Sequence, residues 1–111
     1  MVNLWVKDKS GNPIDIVFGF DDVTGYEGDK GTYIGCNVGR NANRVSNASF
    51  TLNGKVYELD KNEGNKNLHS GFNPYSKRMW KVENTGDDKI VLSLHSPHMD
   101  QGFPDNMYYQ S

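Results

Sequence analysis

Arg40, Asn41, Asn43 and Arg44 are crowded into Gly39-Arg40-Asn41-Ala42-Asn43-Arg44, and His69 follows after a stretch rich in amides and glycine. A guanidinium offers a planar fork of donors, a carboxamide offers donors and an acceptor, and an imidazole can do either, so this group suits hydroxyl or carboxylate oxygens. The same residues would also furnish a solvated turn, since exposed Arg and Asn are common in loops. Other clusters suit chemistry less well. His95, His98 and Asp100 lie close in sequence, but a catalytic zinc needs three protein ligands in defined geometry, and Pro97 stiffens the link between the two histidines; no metal site is assigned. Cys36 has no local base to make it a nucleophile and is expected to pack. Gly35 and Gly39 belong to no GxGxxG pattern, no helix follows them, and no Lys-Ser/Thr pair completes a phosphate loop, which excludes a nucleotide site.

The elements that must position these residues read as short β-strands. Leu4 and Val6 alternate with polar residues, Ser10-Gly11-Asn12-Pro13 supplies a turn, and Ile14, Ile16 and Phe18 alternate again, which predicts a hairpin. Ala48, Phe50 and Leu52 predict a second strand, returned by Val56, Tyr57 and Leu59 across Asn53-Gly54, the dipeptide best suited to positive φ at both centres of a type I′ turn. Met79, Trp80 and Val82 predict another strand, turned by Thr85-Gly86-Asp87-Asp88 into Ile90, Val91, Leu92 and Leu94. No window carries a convincing helical period. Met107-Tyr108-Tyr109-Gln110-Ser111 begins a further strand for which no partner is evident, so the chain is expected to be cut short. Strand edges left unpaired would be covered by self-association.

Bulk composition narrows the partners. The chain has 111 residues, 35% of them hydrophobic, which predicts one domain with a thin core. Its 14 acidic and 12 basic residues are dispersed and leave a net charge of −2, so no basic face exists to bind nucleic acid. No apolar run approaches the ~18 residues of a membrane span, and no export signal opens the sequence, so no membrane partner is expected and a cytoplasmic location is.

Several motifs occur together in a fixed order: Tyr33-Ile34-Gly35-Cys36, Gly39 to Val45, Leu52-Asn53-Gly54-Lys55-Val56-Tyr57-Glu58-Leu59, Asn62, Gly64, Asn67-Leu68-His69-Ser70-Gly71, Trp80, Ser96-Pro97 and Asp100-Gln101-Gly102-Phe103-Pro104. In that order and spacing the sequence resembles the aldose 1-epimerase family, also called galactose mutarotases. The resemblance implies an all-β fold, an antiparallel β-sandwich of the galactose mutarotase type that residues 1–111 form only in part, as one partial domain. It implies an isomerase that interconverts the α and β anomers of an aldohexose such as galactose or glucose, without a cofactor. It also implies that Arg44 and His69 bind the sugar, with Asn43 supporting Arg44 or touching the sugar itself.

The resemblance has gaps. The family's general-acid histidine and general-base glutamate have no counterpart in residues 1–111, so this chain is expected to hold part of a sugar site and to be inactive alone. A non-catalytic carbohydrate-binding or structural β-domain is the alternative. Ser70 stands where many members have glycine, a change expected to leave the loop workable. Ser96-Pro97-His98-Met99-Asp100 and Phe103-Pro104-Asp105 place bulk where the family's turn has glycine.

Overall fold

Asn53 and Gly54 have φ of +51° and +78° in the computed structural model, the two left-handed residues that a type I′ hairpin requires. Their turn joins strands Ser49–Leu52 and Lys55–Glu58 in antiparallel register, with Phe50 opposite Tyr57. The two rings stack with centroids 5.3 Å apart, and Phe103 also stacks on Phe50, at 5.8 Å. The pairing continues past the strand ends through Leu59 N–H donating to the Ala48 carbonyl at 2.8 Å, and both residues are buried. Of the apolar residues of this hairpin, Ala48 and Leu59 are buried and Phe50 and Tyr57 meet across the strands, while Leu52 and Val56 stay exposed.

The structure describes residues 3–29 and 31–111, and these fall into two units that divide after Cys36. In chain order the strands are β1 (Trp5–Lys7), β2 (Pro13–Asp15), β3 (Arg44–Val45), β4 (Ser49–Leu52), β5 (Lys55–Glu58), β6 (Asn67–Leu68), β7 (Lys81–Thr85), β8 (Ile90–Ser96) and β9 (Met107–Gln110). They pair as β1-β2, β3-β6, β4-β5 and β7-β8-β9, every described pairing being antiparallel. Among the described residues no helix is long and apolar enough to cross a membrane.

No described residue of the first unit is buried, and side-chain carboxylates organise its turns instead. The Asp8 carboxylate accepts from the N–H groups of Ser10 and Asn12, each at 2.8 Å, and closes the β1-β2 hairpin. That of Asp15 accepts from the Leu4 and Val17 N–H groups, and that of Asp29 from those of Gly31, Thr32 and Tyr33. Each carboxyl is held below the usual carboxylate range: Asp8 first by the Asn12 N–H, Asp15 by the Asn3 amide, Asp29 by the Thr32 N–H. The hairpin is shorter than its apolar pattern, because backbone pairing ends at Ile16 N–H to the Leu4 carbonyl and leaves Phe18 exposed. One helix turn that the sequence did not show, α1 (Val23–Gly28), is capped by the Asp22 carboxylate accepting from the Gly25 N–H. At six residues it is too short to display a 3.6-residue period.

The second unit is centred on aromatic side chains. Tyr75 is fully buried and meets Trp80 and Tyr109 edge to face, each with centroids 6.0 Å apart, while Trp80 meets Tyr109 at 5.5 Å. Trp80 also donates its indole N–H to the Tyr75 carbonyl. Gly39 lies against the Tyr75 ring so closely that a Cβ would collide with it, which explains why the polar loop over this cluster begins with glycine. The terminal segment does find a partner, contrary to the sequence expectation. β9 pairs along β8 with Leu94 opposite Tyr109, and Ser111 exchanges both backbone hydrogen bonds with Leu92. β8 is long enough to serve a neighbour on each side, which leaves β7 and β9 as the edges.

The loop between β8 and β9 is tied down by charge. Arg78 donates to both oxygens of Asp100, at 2.5 and 2.8 Å, and the two side chains are only 13% exposed. Asp100 also accepts from the buried Ser96 hydroxyl. Arg78 further donates to the Asn73 carbonyl and lies over the Tyr75 ring. These bonds, led by those from Arg78, hold the Asp100 carboxyl below its ordinary value, so its stabilisation is complete above the ordinary carboxylate range and disappears as pH falls through the lowered value. Asp100→Asn is expected to lower stability at pH 7 by about 3 kcal/mol in urea unfolding. The difference from the wild type should begin to close below about pH 4; a gap of constant size down to strong acid would contradict this role for the carboxylate.

Candidate functional site

Arg44, Asn43 and His69 meet where β3 pairs with β6. Arg44 stands opposite Leu68 and Val45 opposite Asn67, which sets the residue before β3 beside the residue after β6. The join is made by backbone and side chain together. The Asn43 N–H donates to His69 Nδ1 at 3.0 Å, and the His69 N–H donates to the Asn43 carbonyl at 3.1 Å. Because Nδ1 accepts, the neutral imidazole carries its hydrogen on Nε2. Asn43 Oδ1 then accepts from the Arg44 N–H at 2.9 Å and from Arg44 Nη1 at 3.3 Å. The sequence thus folds three separately weak signals into one hydrogen-bonded group.

The geometry of that group depends on left-handed backbone. Asn43, His69 and Ser70 have φ of +66°, +51° and +75°. Asn tolerates this region well, whereas a β-carbon at the other two positions costs about 1 kcal/mol each, a strain that surrounding bonds must hold in place. Ser70 supplies such bonds. Its fully buried hydroxyl accepts from the Asn41 N–H at 2.7 Å and donates to the Asn41 carbonyl at 3.1 Å, which fastens the arginine loop to the histidine loop. Asn62 performs the same task from the other side, with its amide donating to the carbonyls of Leu68 and Gly71 and its oxygen accepting from the Leu68 N–H.

The two arginines of the loop separate completely. Arg40 turns away from the group and donates to the Ser96 hydroxyl and to the carbonyls of Ser96, Pro97 and Pro104, at 2.5 to 3.0 Å. It is a structural tether. Arg44 stays half-exposed and makes a bidentate pair with Glu63, Nε to Oε2 at 2.5 Å and Nη2 to Oε1 at 2.7 Å. The hydrogen bonds from Arg44 are the main cause that holds the Glu63 carboxyl below its ordinary value, and the same bonds raise that of Arg44. Glu63 and Ser70 were not singled out in the sequence as site residues. Glu63 lies 19 positions after Arg44, and no local pattern marks such a pair.

The other chemistry-bearing residues have separate tasks. His95 stacks on Tyr108 with centroids 4.5 Å apart, His98 Nδ1 accepts from the Asp105 N–H, and Asp100 is engaged by Arg78. Among the described residues no group of three or more His, Cys, Asp or Glu side chains could hold a metal ion. In the first unit the Cys36 thiol donates to the Tyr33 carbonyl.

Comparison with known proteins bears on the whole chain. The family profile "Aldose 1-epimerase" matches residues 1–110. The galactose mutarotase of Bos taurus is 41% identical over 103 residues, covering 91% of this chain and 29% of that protein. The aldose 1-epimerase of Haemophilus influenzae is 45% identical over 76 residues, covering 68% of this chain and 22% of its own length. The crystal structure of the GalM/aldose epimerase homologue from C. elegans superposes with a TM-score of 0.84 at 33% identity, covering 99% of this chain and 34% of that one. The chain therefore spans less than a third of the length of these two curated relatives.

Ser70 gives the site a testable dependence on one hydroxyl. Ser70→Ala keeps the strained β-carbon and leaves the partly buried Asn41 N–H without its acceptor, so it is expected to cost about 2 kcal/mol in thermal unfolding. Ser70→Gly loses the same bonds but relaxes the backbone, and should be about 1 kcal/mol less damaging than alanine. Equal stability of the alanine variant and the wild type would show that Asn41 is held by something else.

Proposed function

This chain belongs to the aldose 1-epimerase family, and on that premise we propose that Asn43, Arg44 and His69 form the part of a sugar site that grips an aldohexose such as galactose or glucose. The observation that supports this reading is the hydrogen bond from the Asn43 N–H to His69 Nδ1, which ties the imidazole to the residue preceding the half-exposed Arg44. Interconversion of anomers requires a base to take the proton from the C1 hydroxyl and an acid to protonate the ring oxygen, so that the C1–O5 bond opens and C1 can rotate. Before that, the ring must be held. Arg44 donates to sugar hydroxyls, and the Nε2–H of His69 donates to a second oxygen of the same ring. Proton transfer at these oxygens calls for no cofactor.

The chain alone is proposed to bind without turning the sugar over, since the acid and base of the reaction are assigned to none of its residues. A single guanidinium and imidazole on an open surface should bind galactose in about the millimolar range. By titration calorimetry, Arg44→Ala is expected to weaken that binding about tenfold or more, the loss of charge-assisted hydrogen bonds. Polarimetry on freshly dissolved α-glucose should show the rate of buffer alone. Unchanged affinity in Arg44→Ala would remove Arg44 from the sugar contact, no binding by the wild type would favour the purely structural alternative, and a rate above buffer that disappears with Arg44 would show catalysis in this chain.

A further inference from the structure

Arg44 is held at one edge by a carboxylate on a rigid turn, and that arrangement bears on which sugars the site admits. Exposed ion pairs usually contribute little, because two long side chains must be immobilised to form them. This one is anchored differently. Glu63 lies in a tight turn in which its N–H and carbonyl both bond Lys66, at 3.2 and 3.0 Å, around Gly64 at φ +60°. Its neighbour Asn62 is fastened to Leu68, which is the strand partner of Arg44. Both ends of the pair are thus fixed by backbone before the side chains meet, and the contact is bidentate.

A guanidinium has five N–H donors. Glu63 engages one on Nε and one on Nη2, and Asn43 engages one on Nη1. One N–H on each terminal nitrogen is left to meet a ligand. A ligand carboxylate or phosphate would have to approach Arg44 against the charge of Glu63 or displace it, whereas neutral hydroxyls can use the two remaining donors alongside it. Lys66 is a second cation whose charge reaches the Glu63 carboxylate, so neutralising that carboxylate would leave Arg44 and Lys66 together without their common anion.

We propose that Glu63 sets the charge specificity of this site, aligning Arg44 for the hydroxyls of a neutral aldose and turning away sugars that carry a carboxylate or phosphate. This rests on the reading of Arg44 as a sugar ligand. The test uses galactose and galacturonate, which share the ring hydroxyls and differ in a carboxylate at C6, against the wild-type chain, Glu63→Gln and Arg44→Ala. The wild type should bind galactose about tenfold or more tightly than galacturonate, and Glu63→Gln should close or invert that ratio. The inverted preference should weaken as salt is raised. In nitrogen-15 spectra the Arg44 Nε–H signal should broaden in Glu63→Gln through faster exchange with water, and galacturonate should sharpen it again. Galactose binding that is lost in Arg44→Ala, together with an unchanged galactose to galacturonate ratio in Glu63→Gln, would overturn the role of Glu63 and leave the sugar reading intact. Failure of both sugars to bind the wild type and Glu63→Gln would overturn the sugar reading and this proposal together.

Discussion

A guanidinium removed from water must find an acceptor for each donor it buries, and Arg40 meets that demand with backbone carbonyls from two distant places. Its bonds to Ser96, Pro97 and Pro104 fasten the loop of residues 39–44 to the end of β8 and to the return towards β9. The Ser96 hydroxyl accepts from Arg40 and donates to Asp100, and Asp100 is gripped by Arg78. Two arginines and one aspartate therefore hold the 97–106 loop from both sides. The loop that carries Asn43 and Arg44 starts from this anchor, with Gly39 pressed on the Tyr75 ring beneath it.

From that anchor the site assembles through bonds between loops. Ser70 takes hold of Asn41, Asn43 takes hold of His69, and Asn62 holds the far end of β6. The strand pair β3-β6 contributes only two residues from each side, too few to fix the loops alone. The density of amides in this stretch is thereby explained: Asn43 and Asn62 replace backbone ladder bonds where the chain is too curved to make them. Left-handed residues at 43, 69 and 70 supply the curvature.

What could be read from the sequence was local. The Asn53-Gly54 hairpin was legible because its turn chemistry and its flanking alternation are both short-range, and the antiparallel β character followed from the same patterns. The pairing of β9 with β8 was missed because a strand's partner is a non-local property, and the 23–28 helix because one and a half turns leave no period. Arg40 and Arg44 are indistinguishable by type and separated only by what lies near them, one under carbonyls and the other beside Glu63. The motif order that points to the aldose 1-epimerase family was legible from Tyr33 to Pro104, and the family match over residues 1–110 agrees with it.

On the proposed reading Asn43, Arg44 and His69 contact one sugar. Amide and side-chain nitrogen-15 correlation spectra recorded during a galactose titration test it most directly. Saturable shifts are expected at Asn43, Arg44 and His69, with the Glu63 turn moving alongside and the β7-β8-β9 sheet silent. Shifts confined to the His95 and Tyr108 face of that sheet, or none at any sugar concentration, would contradict it.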